Sequence, residues 1–538
     1  MKMKWLICLI LSVTLSPIIA FSQTNISPLM AGSNIAVVKT ESGALRGYIH
    51  HGIFTYKGIP YADADRFMEP VKPAHWEGVR SSLAYGPVSP TDPTITVNDR
   101  FEFPFQHDFG YNNEHCQNLN VWTQKINDGK KRPVMVWFHG GGFTNGSSIE
   151  QPGYDGENLA RKGDVVVVTV NHRLNVLGFL DLSTYGEKYK GSANVGLMDL
   201  VAALQWVKAN ITQFGGDPNN VTIFGQSGGG GKVIAMLNAP TAKGLFGKAI
   251  VESGSSANNY KTKAMSQRVG AALLEELKLQ PSQVDSLQKI PYERLNAAAK
   301  VAVRKATAVL RAEGKEAGNL GWGPTFDGYF FPYQPTDQAA LALSKNVPLM
   351  VGTTKNEMSP FTPDPPNLTM DVVKSQIQKQ YGDRADAYIA AVKKAYPNTT
   401  KPADFIDIDL RGRPGAIRFA NAKVTASVAP VYMYLFAWQS PVNDGTYKAM
   451  HCMEIPFVFN NISRTEEMTG GSKEAYALAN KVSGAWINFA RSGNPNVAGL
   501  LPAWTPYTPK NGSTMIFDNQ CKLRNHFDDD LQQIAATK

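Results

Sequence analysis

A serine stands at the centre of the pentapeptide G-Q-S-G-G at 225–229, which directly follows the apolar run at 221–224. The pattern G-x-S-x-G between a strand and a helix is typical of a nucleophile elbow, the sharp turn that exposes a catalytic serine. Gly225 and Gly229 are needed there because side chains two positions from the strained serine would collide. The turn also places the Ser227 hydroxyl over a helix N-terminus, whose N–H groups favour developing negative charge. The segment therefore predicts nucleophilic chemistry.

A second glycine-rich segment, H-G-G-G-F at 139–143, directly follows another apolar run at 134–138. This is the position of the HGGG-type loop whose backbone amides bind a reaction oxyanion. Glycines suit that task because the backbone must approach the substrate oxygen without intervening side chains. A phosphate-binding loop is the competing interpretation, but neither a G-x-x-x-x-G-K-[ST] motif nor a strand–GxGxxG–helix with a downstream acid is present. The order of the two motifs favours a serine hydrolase.

A serine nucleophile needs a base and an acid, and in this arrangement the chain order is serine, acid, histidine. Of the nine histidines, only His451 and His526 follow Ser227. His526 stands in a polar, acidic stretch, so we expect it at the surface and interpret His451 as the base. For the acid we expect Glu357, which follows a strand-like apolar run. The alternatives for the acid, neither of which directly follows such a run, are Asp327 and Asp337.

The elements that must position these residues alternate between strands and helices. Short, continuous apolar runs are typical of strands buried on both faces of a parallel sheet. Such runs occur at 134–138, 165–170, 221–224, 249–251, 349–351 and 432–438. Apolar residues recur at helical spacing over 197–211 and 478–489. We therefore predict the α/β class and the α/β-hydrolase fold: a large, mostly parallel twisted sheet with helices on both faces. Residues 258–345 and 360–430 are expected to be helical insertions over the active site.

The first 22 residues are interpreted as a signal peptide, and residues 23–538 as a single domain. A short basic segment precedes an apolar stretch at 5–21 that Pro17 interrupts, and we expect cleavage near Gln23. A retained membrane anchor is the alternative, but the apolar stretch is at the short end for a span. No later segment is long and apolar enough to cross a bilayer, so we expect no membrane span in the mature chain. The predicted location is secreted or periplasmic.

Composition and charge narrow the class of protein. The 538 residues are 43% hydrophobic with a formal net charge of +9, which is ordinary for a globular protein with a large core. The basic residues are scattered and not interleaved with aromatic ones, so no nucleic-acid partner is expected. Cys8 leaves with the signal, and Cys116, Cys452 and Cys521 then allow at most one disulfide within the chain. The sequence shows neither which pair would form it nor the oligomeric state.

Several further segments resemble the type-B carboxylesterase family, which includes cholinesterases, fungal lipases and neuroligins. The resemblance extends along nearly all of the mature chain. The matching segments lie at 56–62, 66–67, 76–80, 85–87, 118–122, 214–218 and 486–495. It implies hydrolysis of a small-molecule or polymeric carboxylic ester through an acyl-enzyme, with no metal or cofactor. A lipase acting on longer acyl chains and a catalytically inactive adhesion module are the alternatives, and the inactive members typically lack triad residues that are present in this chain.

The resemblance also implies roles for individual residues. Ser227 would attack the ester, His451 would take its proton, and Glu357 would orient the imidazole. The backbone amides that would hold the oxyanion are those of Gly141, Gly142 and Gly228. Further positions matched by the resemblance are Ser253, as a buried serine hydrogen-bonded to the triad, and Arg66 with Glu114, as a structural ion pair.

The chain departs from the family pattern at several positions. Gln226 and Gly228 stand where the family usually has Glu and Ala. Losing the carboxylate removes a charge that could favour cationic substrates, so a choline esterase is not expected. Lys232 is expected to be exposed or in a local ion pair, with a substrate contact as the alternative. Cys116 matches a family cysteine whose usual partner position lies near Ser89, so that disulfide is expected to be absent.

Overall fold

The structure is a computed structural model that describes residues 28–92, 98–254, 260–314, 320–359 and 368–536. The predicted signal peptide and its cleavage site lie outside the described residues. The strands are β1 Leu29–Met30, β2 Val37–Thr40, β3 Gly43–Arg46, β4 Tyr48–His50, β5 Ile53–Pro60, β6 Val79–Ser81, β7 Asn118–Thr123, β8 Arg132–Phe138, β9 Val166–Val170, β10 Gly216–Gln226, β11 Lys248–Glu252, β12 Lys261–Thr262, β13 Thr325–Phe326, β14 Leu349–Thr354, β15 Val431–Phe436, β16 Ser513–Phe517 and β17 Lys522–Asn525.

Helices occupy much of the chain between these strands. They are α1 Asp99–Phe105, α2 Glu157–Gly163, α3 Asn175–Phe179, α4 Val195–Asn210, α5 Gly228–Asn238, α6 Lys263–Glu276, α7 Tyr292–Ala312, α8 Gln338–Leu343, α9 Met370–Tyr381, α10 Ala385–Ala395, α11 Gly412–Ala426, α12 Val442–Gly445, α13 Ile455–Val458, α14 Glu466–Thr469, α15 Lys473–Ser492 and α16 Asp529–Ala536. None of the helices in the described ranges is long and apolar enough to span a membrane.

The main sheet has twelve strands in the order β1-β4-β5-β7-β9-β8-β10-β11-β14-β15-β16-β17. The run from β9 to β16 is parallel throughout. Antiparallel pairs flank that run on both sides. The prediction of a large, mostly parallel sheet is therefore confirmed.

Both faces of the sheet are covered by helices, as the continuous apolar runs predicted. Along β8, Val134, Val136 and Phe138 belong to a core built with residues of α4 and α5. The alternate residues Met135 and Trp137 pack on the other face, in a core with residues of α2, α13 and α15. All five side chains are fully buried. A strand buried on both faces has no polar side, and this explains why its sequence lacks alternation.

The predicted helical insertions are present between the sheet strands. Helices α6 to α8 lie between β11 and β14 in the chain, and α9 to α11 lie between β14 and β15. Residues of α6 and α7 pack with α3, and residues of α9 and α10 pack with α16. The predicted strand at 432–438 is β15 and ends earlier, at Phe436. The late helix is α15, and the left-handed residue Gly493 caps its C-terminus.

Candidate active site

The predicted site residues follow the carboxyl ends of neighbouring parallel strands. Strand β8 leads into the oxyanion loop at 139–142, and β10 leads directly into Ser227. Strand β11 leads into Ser253, and β14 leads into Glu357 three residues after its end. Since the carboxyl ends of parallel strands meet at one edge of the sheet, the fold brings these loops together.

Ser227 has the strained backbone of a nucleophile elbow. Its φ of 57° and ψ of −123° are unusual for a residue with a side chain. Its N–H donates a 2.8 Å hydrogen bond to the carbonyl oxygen of Glu252 on the next strand. A Cβ atom on Gly229 would lie 2.0 Å from the carbonyl oxygen of Phe138, and one on Gly225 would lie 2.6 Å from the Gly229 backbone. The turn therefore requires both glycines.

The structure places Glu357 against the imidazole of His451. Nδ1 of His451 contacts Oε2 of Glu357, and Oε1 accepts a 2.9 Å hydrogen bond from the N–H of Thr354. Burial would raise the pKa of Glu357, but the neighbouring imidazole holds it below its usual value. Burial would lower the pKa of His451, but the Glu357 carboxylate holds it above its usual value. The pair therefore favours a charged acid beside an imidazole of increased basicity.

The alternative acids and the second histidine lie elsewhere. Asp327 accepts a 2.8 Å hydrogen bond from the amide of Asn194, and Asp337 is exposed as the residue before α8. His526 lies 2.6 Å from Asp529, with 41% of its side chain exposed. Among the predicted acids, the fold thus brings only Glu357 to His451.

Ser227 Oγ forms no hydrogen bond to any residue that the structure describes, including His451. The hydrogen bond between nucleophile and base is often long or misaligned before substrate binds, and it tightens in the complex. The strands fix the Ser227 backbone, whereas His451 lies on the loop between α12 and α13 with 22% of its side chain exposed. The imidazole is thus accessible from the solvent side of the site.

The oxyanion loop and the elbow together present three backbone N–H groups as possible donors. The N–H groups of Gly141, Gly142 and Gly228 donate to no acceptor in the ranges the structure covers. Gly141 and Gly142 have φ values of 76° and 65°, which only glycine adopts readily. A Cβ atom on Gly228 would lie 2.4 Å from the N atom of Gly142, so the elbow and the loop touch. Three unpaired amides in adjoining segments are what an oxyanion hole requires.

Two buried carboxyl groups behind the site were missed by the sequence analysis. Ser253 Oγ donates a 3.5 Å hydrogen bond to Glu454, and its hydroxyl also helps to lower the pKa of Glu357. Glu252 accepts a 2.8 Å hydrogen bond from the indole of Trp486. Burial raises the pKa of Glu252 to about 8 and that of Glu454 well above its usual range. The sequence did contain one signal for such a group, because Glu252 is an acidic residue at the end of an apolar strand.

The expectation that Lys232 is exposed or in a local ion pair is wrong. Its side chain is fully buried, and Nζ donates to the carbonyl oxygens of His139 at 2.8 Å and Gly140 at 3.4 Å. The physical reason is the contact between the first turns of α5 and the oxyanion loop, which directs position 232 into the interior.

The remaining predicted features concern the framework of the site. Arg66 contacts Glu114 through two nitrogen atoms, so the implied ion pair is present. Cys116, Cys452 and Cys521 are all free. In the described part of the chain, no group of three or more His, Cys, Asp or Glu side chains could hold a metal ion.

Residues 34–534 match the sequence model of the carboxylesterase family. The chain belongs to the carboxylesterase family. The para-nitrobenzyl esterase of Bacillus subtilis (strain 168) is 35% identical over 504 residues, which cover 92% of this chain and 98% of that relative. The phenmedipham hydrolase of Pseudarthrobacter oxydans is 31% identical over 509 residues, or 90% of this chain and 95% of that relative.

Solved structures support the same fold. An esterase from Clostridium hathewayi, which can hydrolyse aliphatic aromatic polyesters, matches with a TM-score of 0.85 and 37% identity. The match covers 95% of this chain and 99% of that one. This carboxylesterase therefore has the α/β-hydrolase fold, as predicted, and it is an ester hydrolase.

Proposed function

We propose that this carboxylesterase cleaves carboxylic esters through an acyl-enzyme formed on Ser227. The observation that carries the proposal is the contact between Glu357 and Nδ1 of His451, at the sheet edge where β10 presents the strained serine. A carboxylate on Nδ1 leaves Nε2 as the nitrogen that accepts a proton. The three unpaired amides supply the second requirement, a site for the oxyanion.

The proposed reaction has two halves. Ser227 Oγ attacks the ester carbonyl carbon while Nε2 of His451 takes the hydroxyl proton, and the carbonyl oxygen becomes an oxyanion held by the amides. The carbon–oxygen bond to the alcohol then breaks, and the imidazolium returns its proton to the departing alcohol. Water repeats these steps on the acyl-enzyme and releases the acid and Ser227. Glu357 stabilises the imidazolium in both halves.

We propose that the substrates include esters with an aromatic group, because one relative is named a para-nitrobenzyl esterase and another is described as hydrolysing aliphatic aromatic polyesters. Both small-molecule and polymeric esters fit this class. A lipase preference for long acyl chains is the second candidate. Hydrolysis rates on p-nitrobenzyl esters and on a series of p-nitrophenyl esters from acetate to palmitate distinguish the two, since a lipase would be fastest on the longest chains.

The test of the mechanism is the variant Ser227→Ala. We expect kcat to fall at least about 10⁴-fold with an unchanged circular dichroism spectrum. The matched control is Ser492→Ala, which removes the hydroxyl of an exposed serine at the end of α15 and should retain full activity. Near-normal turnover in the Ser227 variant would refute the proposal.

We further propose that the protein is exported. The support is the N-terminal pattern of basic, apolar and small residues. Fractionation of the producing cells should place the activity outside the cytoplasm, and N-terminal sequencing of the mature protein should begin near Gln23. Cytoplasmic activity with an intact N-terminus would contradict this proposal.

A further inference from the structure

A buried lysine lies directly beneath the oxyanion loop. Lys232 is in the first half of α5, five residues after the nucleophile, and has no exposed surface. Its Nζ donates to the carbonyl oxygens of His139 at 2.8 Å and of Gly140 at 3.4 Å. Both acceptors belong to the loop that carries the proposed oxyanion donors, so one side chain ties the elbow helix to the loop.

The bond to Gly140, together with the 3.0 Å contact between the same carbonyl oxygen and Nδ1 of His139, fixes the direction of the amide proposed to bind the oxyanion. In a trans peptide, the carbonyl group and the N–H of the next residue point in opposite directions. Holding the Gly140 carbonyl towards Lys232 therefore turns the N–H of Gly141 away from the lysine. The other side of the loop adjoins the nucleophile, since a Cβ atom on Gly140 would lie 3.7 Å from Cβ of Ser227.

The surroundings of Lys232 do not offer it a conventional ion pair. Within the described residues, its Nζ makes no salt bridge to a carboxylate. Burial lowers its pKa to about 7, and Glu150 is the charged group that opposes the fall. The rings of His139 and His172 lie 5.3 Å apart nearby, and burial lowers the pKa of each well below its usual value. Even a neutral amine has two N–H donors, which suffice for the two carbonyls.

Burying the amine of Lys232 costs free energy, so stability does not explain why a lysine stands at this position. Burying an ammonium group is costly unless it is paired with an opposite charge, and Lys232 has no carboxylate partner among the described residues. Lysine near the N-terminus of a helix also opposes the helix dipole. A methionine of similar length would fill the same space without either cost and would lose only the hydrogen bonds to the two loop carbonyls. The contacts of Lys232 are therefore better explained by what they do to the loop.

We propose that Lys232 is a positioning residue of the oxyanion hole, which holds the carbonyls of His139 and Gly140 so that the Gly141 amide points at the developing oxyanion. The proposal rests on the proposed function, because it assigns a role within the same reaction. It predicts that losing the amine impairs the transition state far more than substrate binding or folding.

The decisive comparison is between Lys232→Met and Lys423→Met. Lys423 is the matched control because it is also buried and its Nζ also donates to a backbone carbonyl, that of Ser344. Lys423 lies on α11, outside the proposed machinery. We expect Lys232→Met to lower kcat about 10- to 100-fold with less than a threefold change in KM and no loss of Tm. Lys423→Met should retain the kcat of the unmodified enzyme.

The Ki of a trifluoromethyl ketone is a measurement that would not change if Lys232 only stabilised the fold. The serine adds to this ketone and leaves an oxyanion in the hole, so its affinity reports oxyanion binding. We expect the Ki of an aryl trifluoromethyl ketone to rise in Lys232→Met by about the factor that kcat/KM falls. A second variant, Lys232→Gln, keeps N–H donors near the loop and should lose less activity than the methionine variant.

The outcomes separate this inference from the proposed function. If Ser227→Ala is inactive while Lys232→Met and Lys232→Gln both keep kcat and Ki within threefold, only the role of Lys232 is overturned. If Ser227→Ala keeps its activity, the proposed function itself fails. A fall in kcat that is matched by an equal loss of active sites, titrated with diethyl p-nitrophenyl phosphate, would also overturn the role by showing a purely structural effect.

Discussion

The side-chain amide of Gln226 lies over the face of the His451 imidazole. Its Nε2 is 3.3 Å from both ring nitrogens. Both nitrogens are bonded to Cε1, so a point 3.3 Å from each cannot lie in the ring plane without overlapping a ring carbon. The other end of the amide accepts a 3.1 Å hydrogen bond from Sγ of Cys452. Gln226 therefore packs on the proposed base without occupying the in-plane lone pair that accepts the serine proton.

Replacing this amide by a carboxylate is expected to make the base harder to deprotonate. In Gln226→Glu, a negative charge next to the ring favours the imidazolium and raises the pKa of His451. Since His451 must be neutral to accept the serine proton, the acid limb of the kcat/KM profile should move to higher pH. Profiles measured with a neutral aryl ester check this. A limb that stays in place or moves to lower pH would contradict the geometry.

The same variant should change the preference for cationic alcohols. The unmodified enzyme has a neutral amide beside the nucleophile, so we expect a choline ester to react no faster than its 3,3-dimethylbutyl analogue. Gln226→Glu should shift the ratio of the two kcat/KM values towards choline. A strong choline preference in the unmodified enzyme would show that another group, such as an aromatic ring, attracts the cation.

Removing the charge of Glu357 should have the opposite effect on the pH profile. Glu357 holds the pKa of His451 above its usual value, so Glu357→Gln should lower that pKa and move the acid limb to lower pH. It should also reduce kcat by about 10³- to 10⁴-fold, because the imidazolium loses its stabilising carboxylate. Asp337→Asn, which changes an exposed alternative acid, is the control and should leave both the limb and kcat unchanged.

The residues that follow strand ends could be predicted from the sequence. Ser227, the oxyanion loop and Glu357 each come after a short apolar run, and that local pattern is sufficient to place them at one sheet edge. His451 was found because chain order and the polar surroundings of His526 left no better base. These inferences needed no knowledge of which side chains pack together.

The features that were missed depend on packing between distant segments. Gln226 and His451 are 225 positions apart, and no local pattern indicates that an amide would stack on the imidazole. Lys232 looked like a surface residue because lysine usually is one, and its burial depends on how closely α5 approaches the oxyanion loop. The carboxyl group of Glu454 becomes significant only when Ser253 is placed beside it.

Breaking the buried ion pair between Arg173 and Asp199 should strongly destabilise the fold. Nε and Nη2 of Arg173 donate to the two carboxylate oxygens at 2.9 and 2.7 Å, and both side chains are at most 2% exposed. Asp199→Asn leaves a buried guanidinium without its counter-ion, at a cost of about 3–5 kcal/mol in the free energy of unfolding. Urea denaturation measures the loss. The exposed pair of Lys188 and Asp285 provides the control, because Asp285→Asn should cost less than about 1 kcal/mol.

The glycine after the nucleophile, where the family usually has alanine, should be necessary in this chain for the close approach of the oxyanion loop to the elbow. A Cβ atom at Gly228 would lie 2.3 Å from the carbonyl oxygen and 2.4 Å from the N atom of Gly142. Neither is the end of a flexible side chain, so Gly228→Ala must push the loop away from the elbow. Two of the three proposed donors are then displaced together, and we expect kcat to fall about 10- to 100-fold.

Gly231→Ala is the matched control for this last prediction. It adds the same methyl group to the same helix, but its nearest neighbour is the Phe143 ring at an ordinary 3.4 Å. Alanine also favours a helix interior by about 1 kcal/mol over glycine, so Tm should be unchanged or higher and kcat retained. Equal kcat in both variants would show that the loop can retreat from Gly228 without moving its donors, and that the close approach seen here is not required for turnover.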